Sequence, residues 1–184
     1  MMTQRQASTQ TKSFSGKKTG LLIAMILILM CTGQAWAQSS LGDLVREGGN
    51  EWLIGTWKAT TDDGDSVTLS YKWELNKNMI TTTVDTPEFE SKSIIILSGA
   101  DSEVKQVGAD TMGRTLEGLW TGEYGVAVLR QTTTDQYGDK EVTEFTVSQK
   151  DSKTMTVSIR NISNTGWSDS YPEMTIELKR QAKP

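Results

Sequence analysis

The chain holds 23 carboxylates and 19 basic residues, one cysteine and no histidine. Without imidazole there is no Ser-His-Asp triad, no His-ligated zinc and no His-held haem. The lone thiol, Cys31, lies in an N-terminal apolar run, so disulfides, thiol nucleophiles and Cys-metal clusters are closed to a processed chain. Acid-base chemistry would then fall to paired carboxylates, as in glycoside hydrolysis. Glu74, Glu144 and Glu177 fall in or near the polar phase of their segments, and nothing marks two acids as inward-facing neighbours. Asp62-Asp63-Gly64-Asp65 invites a calcium reading, yet it lacks the alternating ligand spacing and distant glutamate that such a loop needs. A hairpin turn explains it. No catalytic residue, cofactor or metal is expected.

The remaining candidates are binding groups. Tyr71 and Trp73 can offer a hydroxyl and an indole N–H, to a ligand or to their own protein. Arg130, in GVAVLRQT, shares the phase of Val126 and Val128, where it could meet a ligand carboxylate bidentately. In the opposite phase Ala127, Leu129 and Gln131 are inside and Arg130 is solvated. Met155 and Met174 add soft apolar surface to the same candidate interior.

The first forty residues have the layout of a secretory leader. Arg5, Lys12, Lys17 and Lys18 form a basic start without acids, and Leu21 to Cys31 is an apolar run of 11 residues. That is short of the roughly 20 needed for a transmembrane helix. Ala35 and Ala37 sit where an A-x-A cut would fall, so residues 1–37 are expected to be a signal peptide cleaved after Ala37. Lipoprotein processing at Cys31 is disfavoured by the bulky Met30 before it. An exported protein, periplasmic or extracellular, is expected, with no stable membrane span in the mature chain. Removing the four leader cations leaves 15 basic residues against 23 acids, a net of −8. A chain so acidic is not expected to bind nucleic acid, which needs a basic stripe. Its 147 residues can bury a sufficient core without staples.

Residues 38–51 read as a helical lead-in: Ser39 or Ser40 caps LGDLVREGG, and Gly48-Gly49 stops it. From residue 52 to 184 the apolar period is two. Val67, Leu69, Tyr71 and Trp73 alternate with Thr68, Ser70, Lys72 and Glu74, and similar runs hold Met155, Val157, Ile159 and Met174, Ile176, Leu178. Ten candidate strands follow, near 52–60, 65–74, 78–85, 90–98, 103–109, 114–121, 124–133, 140–148, 153–160 and 173–180. Turn signals separate them, and no crossover helix lies between. A meander with one apolar face usually closes to remove its edges. The expected fold is all-β: one antiparallel up-and-down barrel of about 8–10 strands behind a short helix. The polar stretch Asn161 to Tyr171 carries Trp167 and reads as a rim loop.

Gly55-Thr56-Trp57, opening the first strand after a short helix, resembles the G-x-W signature of the calycin superfamily. That group includes lipocalins, fatty-acid-binding proteins, avidins and nitrobindin-like barrels. W-L-x-G-T-W and the following D-D-G look like secreted bacterial lipocalin-like proteins without assigned function. The resemblance implies that Gly55 allows close backbone approach, that Trp57 plugs one barrel end, and that Arg180 lies over the indole. It does not carry haem chemistry, since the barrel histidine is missing, nor the fatty-acid Arg-x-Tyr pair, since the last strand reads M-T-I-E-L-K-R. The constellation that holds biotin in avidins is not found either.

The expected function is non-catalytic binding of a small, largely apolar ligand inside the barrel. The alternative is a filled barrel that acts through its surface, suggested by Ile94 and Ile96 opposite in phase to Ile95 and Leu97. An enzyme without His or Cys is a more distant third. Ligand identity and oligomeric state are left open. A cavity of roughly 300 Å³ with a buried cation would favour ligand carriage.

Overall fold

Ser40 starts the first described helix because its side chain can satisfy backbone donors that a helix start leaves bare. Its Oγ accepts from the Asp43 N–H at 3.1 Å while Asp43 Oδ2 accepts from the Ser40 N–H at 3.2 Å. This reciprocal box starts helix α1 (Leu41–Glu47), and Gly48 ends it. The computed structural model describes residues 39–60, 64–162 and 174–182. The expected signal peptide, the Asp62-Asp63 half of the acidic turn and Trp167 lie outside the described residues.

A 3-10 turn (Glu51–Leu53) leads from α1 into ten strands. They are β1 (Gly55–Thr60), β2 (Ser66–Glu74), β3 (Met79–Asp85), β4 (Glu90–Leu97) and β5 (Val104–Asp110). β6 (Thr115–Glu123), β7 (Val126–Thr134), β8 (Lys140–Asp151), β9 (Thr154–Asn161) and β10 (Met174–Arg180) complete the set. Each pairs antiparallel with the next, and β1 pairs with β10 through Trp57 opposite Arg180, closing the barrel. Closure leaves no unpaired edge. All ten strands occur where the period-two pattern and turn residues placed them.

The alternation has a direct physical outcome. Trp57, Ala59, Tyr71, Ile80, Ile95, Ala127, Val147, Met155, Val157 and Leu178 are buried in the interior, while Ile94 and Ile96 of β4 stand exposed outside. The outer carboxylates are held by neighbours of opposite charge, Glu74 by Lys72, Glu144 by Arg160 and Glu177 by Lys150. Exposed pairs of this kind each contribute little to stability.

Helix α1 covers one barrel end and is fixed on two sides. Gly42 approaches the β2–β3 turn so closely that a Cβ there would lie 2.9 Å from Lys77 Cβ. Across the opening, the Gly125 N–H donates to the Gly48 carbonyl at 2.9 Å. Leu41, 1% exposed, seals the apolar side of the helix onto the core. No described helix is long and apolar enough to cross a membrane.

Candidate functional site

The helix-covered end is locked by Trp57 and Arg180. Trp57 is completely buried, its Nε1–H donates to the Leu53 carbonyl at 2.9 Å, and Trp52 meets it edge-on at 6.1 Å. The Arg180 guanidinium lies 4.1 Å from the Trp57 ring centre. Its Nη1 donates to the Ile54 carbonyl at 2.9 Å and its Nη2 to the Trp52 carbonyl. Gly55 makes the fit possible: its φ is +139°, and a Cβ would lie 2.6 Å from Arg180 Nη1. The cation therefore joins the first strand, the last strand and the lead-in. It does not face a ligand.

Above this plug the interior is hollow. A cavity of about 290 Å³ runs toward the end of the barrel opposite α1. A second, of about 230 Å³, lies under α1 against Leu41, Leu44, Val45 and Leu53. Tyr71 and Trp120 belong to the walls of both and touch edge to face at 6.5 Å. The larger volume is at the lower edge of the roughly 300–1,000 Å³ of small-molecule sites.

The walls of the larger cavity differ in chemistry. Val67 and Leu69 of β2, Val147 of β8, Val157 and Ile159 of β9, and Ile176 and Leu178 of β10 form an apolar side. The polar groups, Thr82, Ser91, Ser93, Gln106, Gln131, Thr133 and Thr143, are all on the β3 to β8 side, interspersed with Val84, Leu116, Leu129 and Phe145. Trp120 Nε1 donates to Gln106 Oε1 at 2.9 Å, and Gln106 Nε2 reaches Gln131 Oε1 at 3.4 Å, so the glutamines partly satisfy each other. Burial pushes the Tyr71 phenol well above its ordinary pKa, which keeps it protonated and a donor.

Among the described residues, one guanidinium reaches this cavity, that of Arg114 at the mouth. Its Nε donates to Asp110 Oδ2 at 2.6 Å and it lies 5.3 Å from the Phe89 ring centre. Asp110 Oδ1 also accepts the backbone N–H groups of Met112 and Arg114, both at 3.0 Å. Burial alone would raise the Asp110 pKa. The Arg114 backbone and guanidinium, its charge and the Met112 N–H outweigh burial and hold the carboxyl below the usual range. A carboxyl depressed by folding contributes stability above its unfolded pKa near ~4 and loses that contribution as pH falls through the folded value. Urea midpoints are therefore expected to fall below about pH 4, and Asp110→Asn to remove part of that acid-side fall. An identical acid limb in wild type and variant would contradict the assignment.

The residues singled out by sequence are scattered by the fold. Tyr71 is in the cavity wall. Met155 is fully buried in the core cluster, outside both cavity walls, and Trp73 packs half-buried against that cluster. Met174 keeps its inward phase opposite Ile159 but sits at the mouth, 54% exposed. Arg130 is a correction: it lies exposed on the outer face of β7, between Leu119 and Glu144 in register. Ala127, Leu129 and Gln131 are the inner residues because they oppose Val147, Phe145 and Thr143, which line the same interior. An outward guanidinium keeps its hydration and needs no buried partner.

Asp110, Arg114, Gln106, Trp120, Glu141 and Ser93 are among the wall residues that sequence reasoning missed, whereas Gln131 is inside in one of the two phases read for β7. Gln106, Gly108 and Asp110 of β5 and Gly118 of β6 interrupt the inner rows while Val107 and Leu119 stand outside, so hydrophobic period gives little contrast. Extending register from Tyr71 across the hairpins would have found them.

Fold and site together define a closed ten-stranded up-and-down barrel with a plugged end and a two-sided interior cavity. Comparison with protein-family models and with curated protein sequences gives no match.

Proposed function

We propose that this barrel binds one small, largely apolar molecule in its interior and performs no chemistry on it. The supporting observation is the cavity of about 290 Å³, enclosed by strands and walled on one side by aliphatic residues from β2, β8, β9 and β10. An empty volume of that size forfeits packing energy that a filled core would gain, and a ligand restores it. The carboxylates at the cavity do not make a catalytic pair: Asp110 is engaged by Arg114 and the turn backbone.

Membership of the calycin superfamily is part of the proposal. Its support is the Gly55-Thr56-Trp57 start, the buried indole and the last-strand arginine over it. Ten strands exceed the eight of lipocalin barrels, so the likeness is to the wider group. Export to the periplasm or medium is likewise proposed, on the basic, apolar and A-x-A segments of residues 1–37.

Trp120 stands in the cavity wall and reports on binding. Titration with an uncharged apolar dye is expected to change tryptophan emission saturably, with one molecule per chain by native mass spectrometry. A panel of apolar dyes and lipids that neither quench nor co-purify would defeat the reading.

A further inference from the structure

The polar wall contains hydroxyls that the fold itself does not use. Tyr71, Thr82 and Ser93 stand directly opposite one another across β2, β3 and β4. Ser91 lies two residues before Ser93 on the same inner face. All four are more than nine-tenths buried, at 6%, 4%, 4% and 6% exposure for Tyr71, Thr82, Ser93 and Ser91. All four line the larger cavity. None of their hydroxyls has a hydrogen-bond partner among the described residues, whereas the glutamines beside them are bonded to each other and to Trp120.

The next position in the row is Gly108, where a Cβ would lie 2.1 Å from Ser93 Oγ. The missing side chain makes room for that hydroxyl. Buried polar groups are normally paired, and an unpaired one is a cost to the folded state. The four open onto the cavity, so their partners come from outside the chain, from water or from a bound molecule.

Charge narrows the class. Among the described residues, the charged groups in the cavity wall are Asp110, Arg114 and Glu141, two acids against one guanidinium, and that guanidinium already donates to Asp110. An entering carboxylate would lose water in a wall without net positive charge, its guanidinium already ion-paired with Asp110 through Nε.

Resting on the reading of the cavity as a ligand site, we propose that the occupant is an uncharged amphiphile with a hydrogen-bonding edge. Hydroxyl, carbonyl or amide groups set about 5 Å apart would meet Tyr71, Thr82 and Ser93, the spacing of neighbouring strands. The hydrocarbon edge would lie on Val157, Ile176 and Leu178. A fatty acid is the wrong class.

The test compares 1,3-decanediol, whose extended hydroxyls are about 5 Å apart, with decanoate at pH 7.5, by displacement of an uncharged apolar dye from the full mature chain. The diol is expected to bind at least about tenfold more tightly, roughly the worth of one good hydrogen bond. The double variant Thr82→Val, Ser93→Ala is expected to lose about tenfold in diol affinity and to keep its affinity for the dye. Because it removes unpaired hydroxyls, its free form should melt no lower than wild type. Decanoate binding as tightly as the diol, or a variant whose diol-to-dye ratio is unchanged, would overturn the proposal while leaving ligand binding intact. No binding of dye, diol or decanoate would overturn both this proposal and the cavity reading beneath it.

Discussion

Replacing Trp57 with alanine is expected to lower the unfolding free energy by about 3–5 kcal/mol. The indole is 0% exposed and packs between Trp52 and Arg180 at the start of β1. Truncation would leave a void, release the Leu53 carbonyl from its 2.9 Å bond and take the ring from under Arg180. Against a total stability of roughly 5–15 kcal/mol for a domain of this kind, the loss is about a fifth or more. Trp57→Phe separates the contributions: it keeps most of the apolar area and loses the N–H, for about 1–3 kcal/mol. Urea unfolding followed by far-ultraviolet circular dichroism is the measurement, since the substitution changes the fluorescence itself. A loss below about 1 kcal/mol for the alanine variant would show that the plug is dispensable.

Arg180→Met should cost about 2–4 kcal/mol. The guanidinium donates to two carbonyls, of Trp52 and Ile54, and covers the Trp57 ring. Hydrogen bonds from a charged donor contribute about 1.5–3 kcal/mol each, and the cation–π contact about 0.5–2. The methionine stem keeps part of the packing, and water reaches this half-buried edge, so the sum is not realised in full. Arg180→Lys should recover less than half, because one ammonium cannot fork to two carbonyls and also stack flat on an indole. Combining Arg180→Met with Trp57→Phe should cost less than the two separate losses added, since the residues share one contact. Strict additivity in urea unfolding would mean that the stacking carries no energy. Because Arg180 ties the lead-in to the last strand, faster proteolytic cleavage between Gly48 and Ile54 is expected to accompany the loss.

The barrel could be read from local chemistry because each strand carries its own evidence. In β2, Val67, Leu69, Tyr71 and Trp73 against Thr68, Ser70, Lys72 and Glu74 leave only one way to hide the apolar side. Ser40 and Gly48 likewise mark the helix ends by the capping bonds their residue types can make. Gly55, Trp57 and Arg180 were recognisable as a motif, although 123 residues separate the indole from its cation.

The cavity was another matter. Around Arg130 the alternation allows both phases, Val126 and Val128 inside or Ala127, Leu129 and Gln131 inside. The orientation of Arg130 is decided by pairing with β8, where Phe145 and Val147 already occupy the inner face. Arg114 and Asp110 come from a turn and a strand end, and only strand stagger brings them to the mouth.

Sequence alone determined the strands, their order of appearance, the capped helix and the chemistries that a chain without histidine cannot perform, because those depend on residue type and near neighbours. Which residues share an interior wall, how much space they leave and which hydroxyls stay unpaired were decided by tertiary structure. Closing ten ribbons sets their mutual stagger. A row such as Tyr71, Thr82, Ser93 and Gly108 exists only once four separate segments lie side by side.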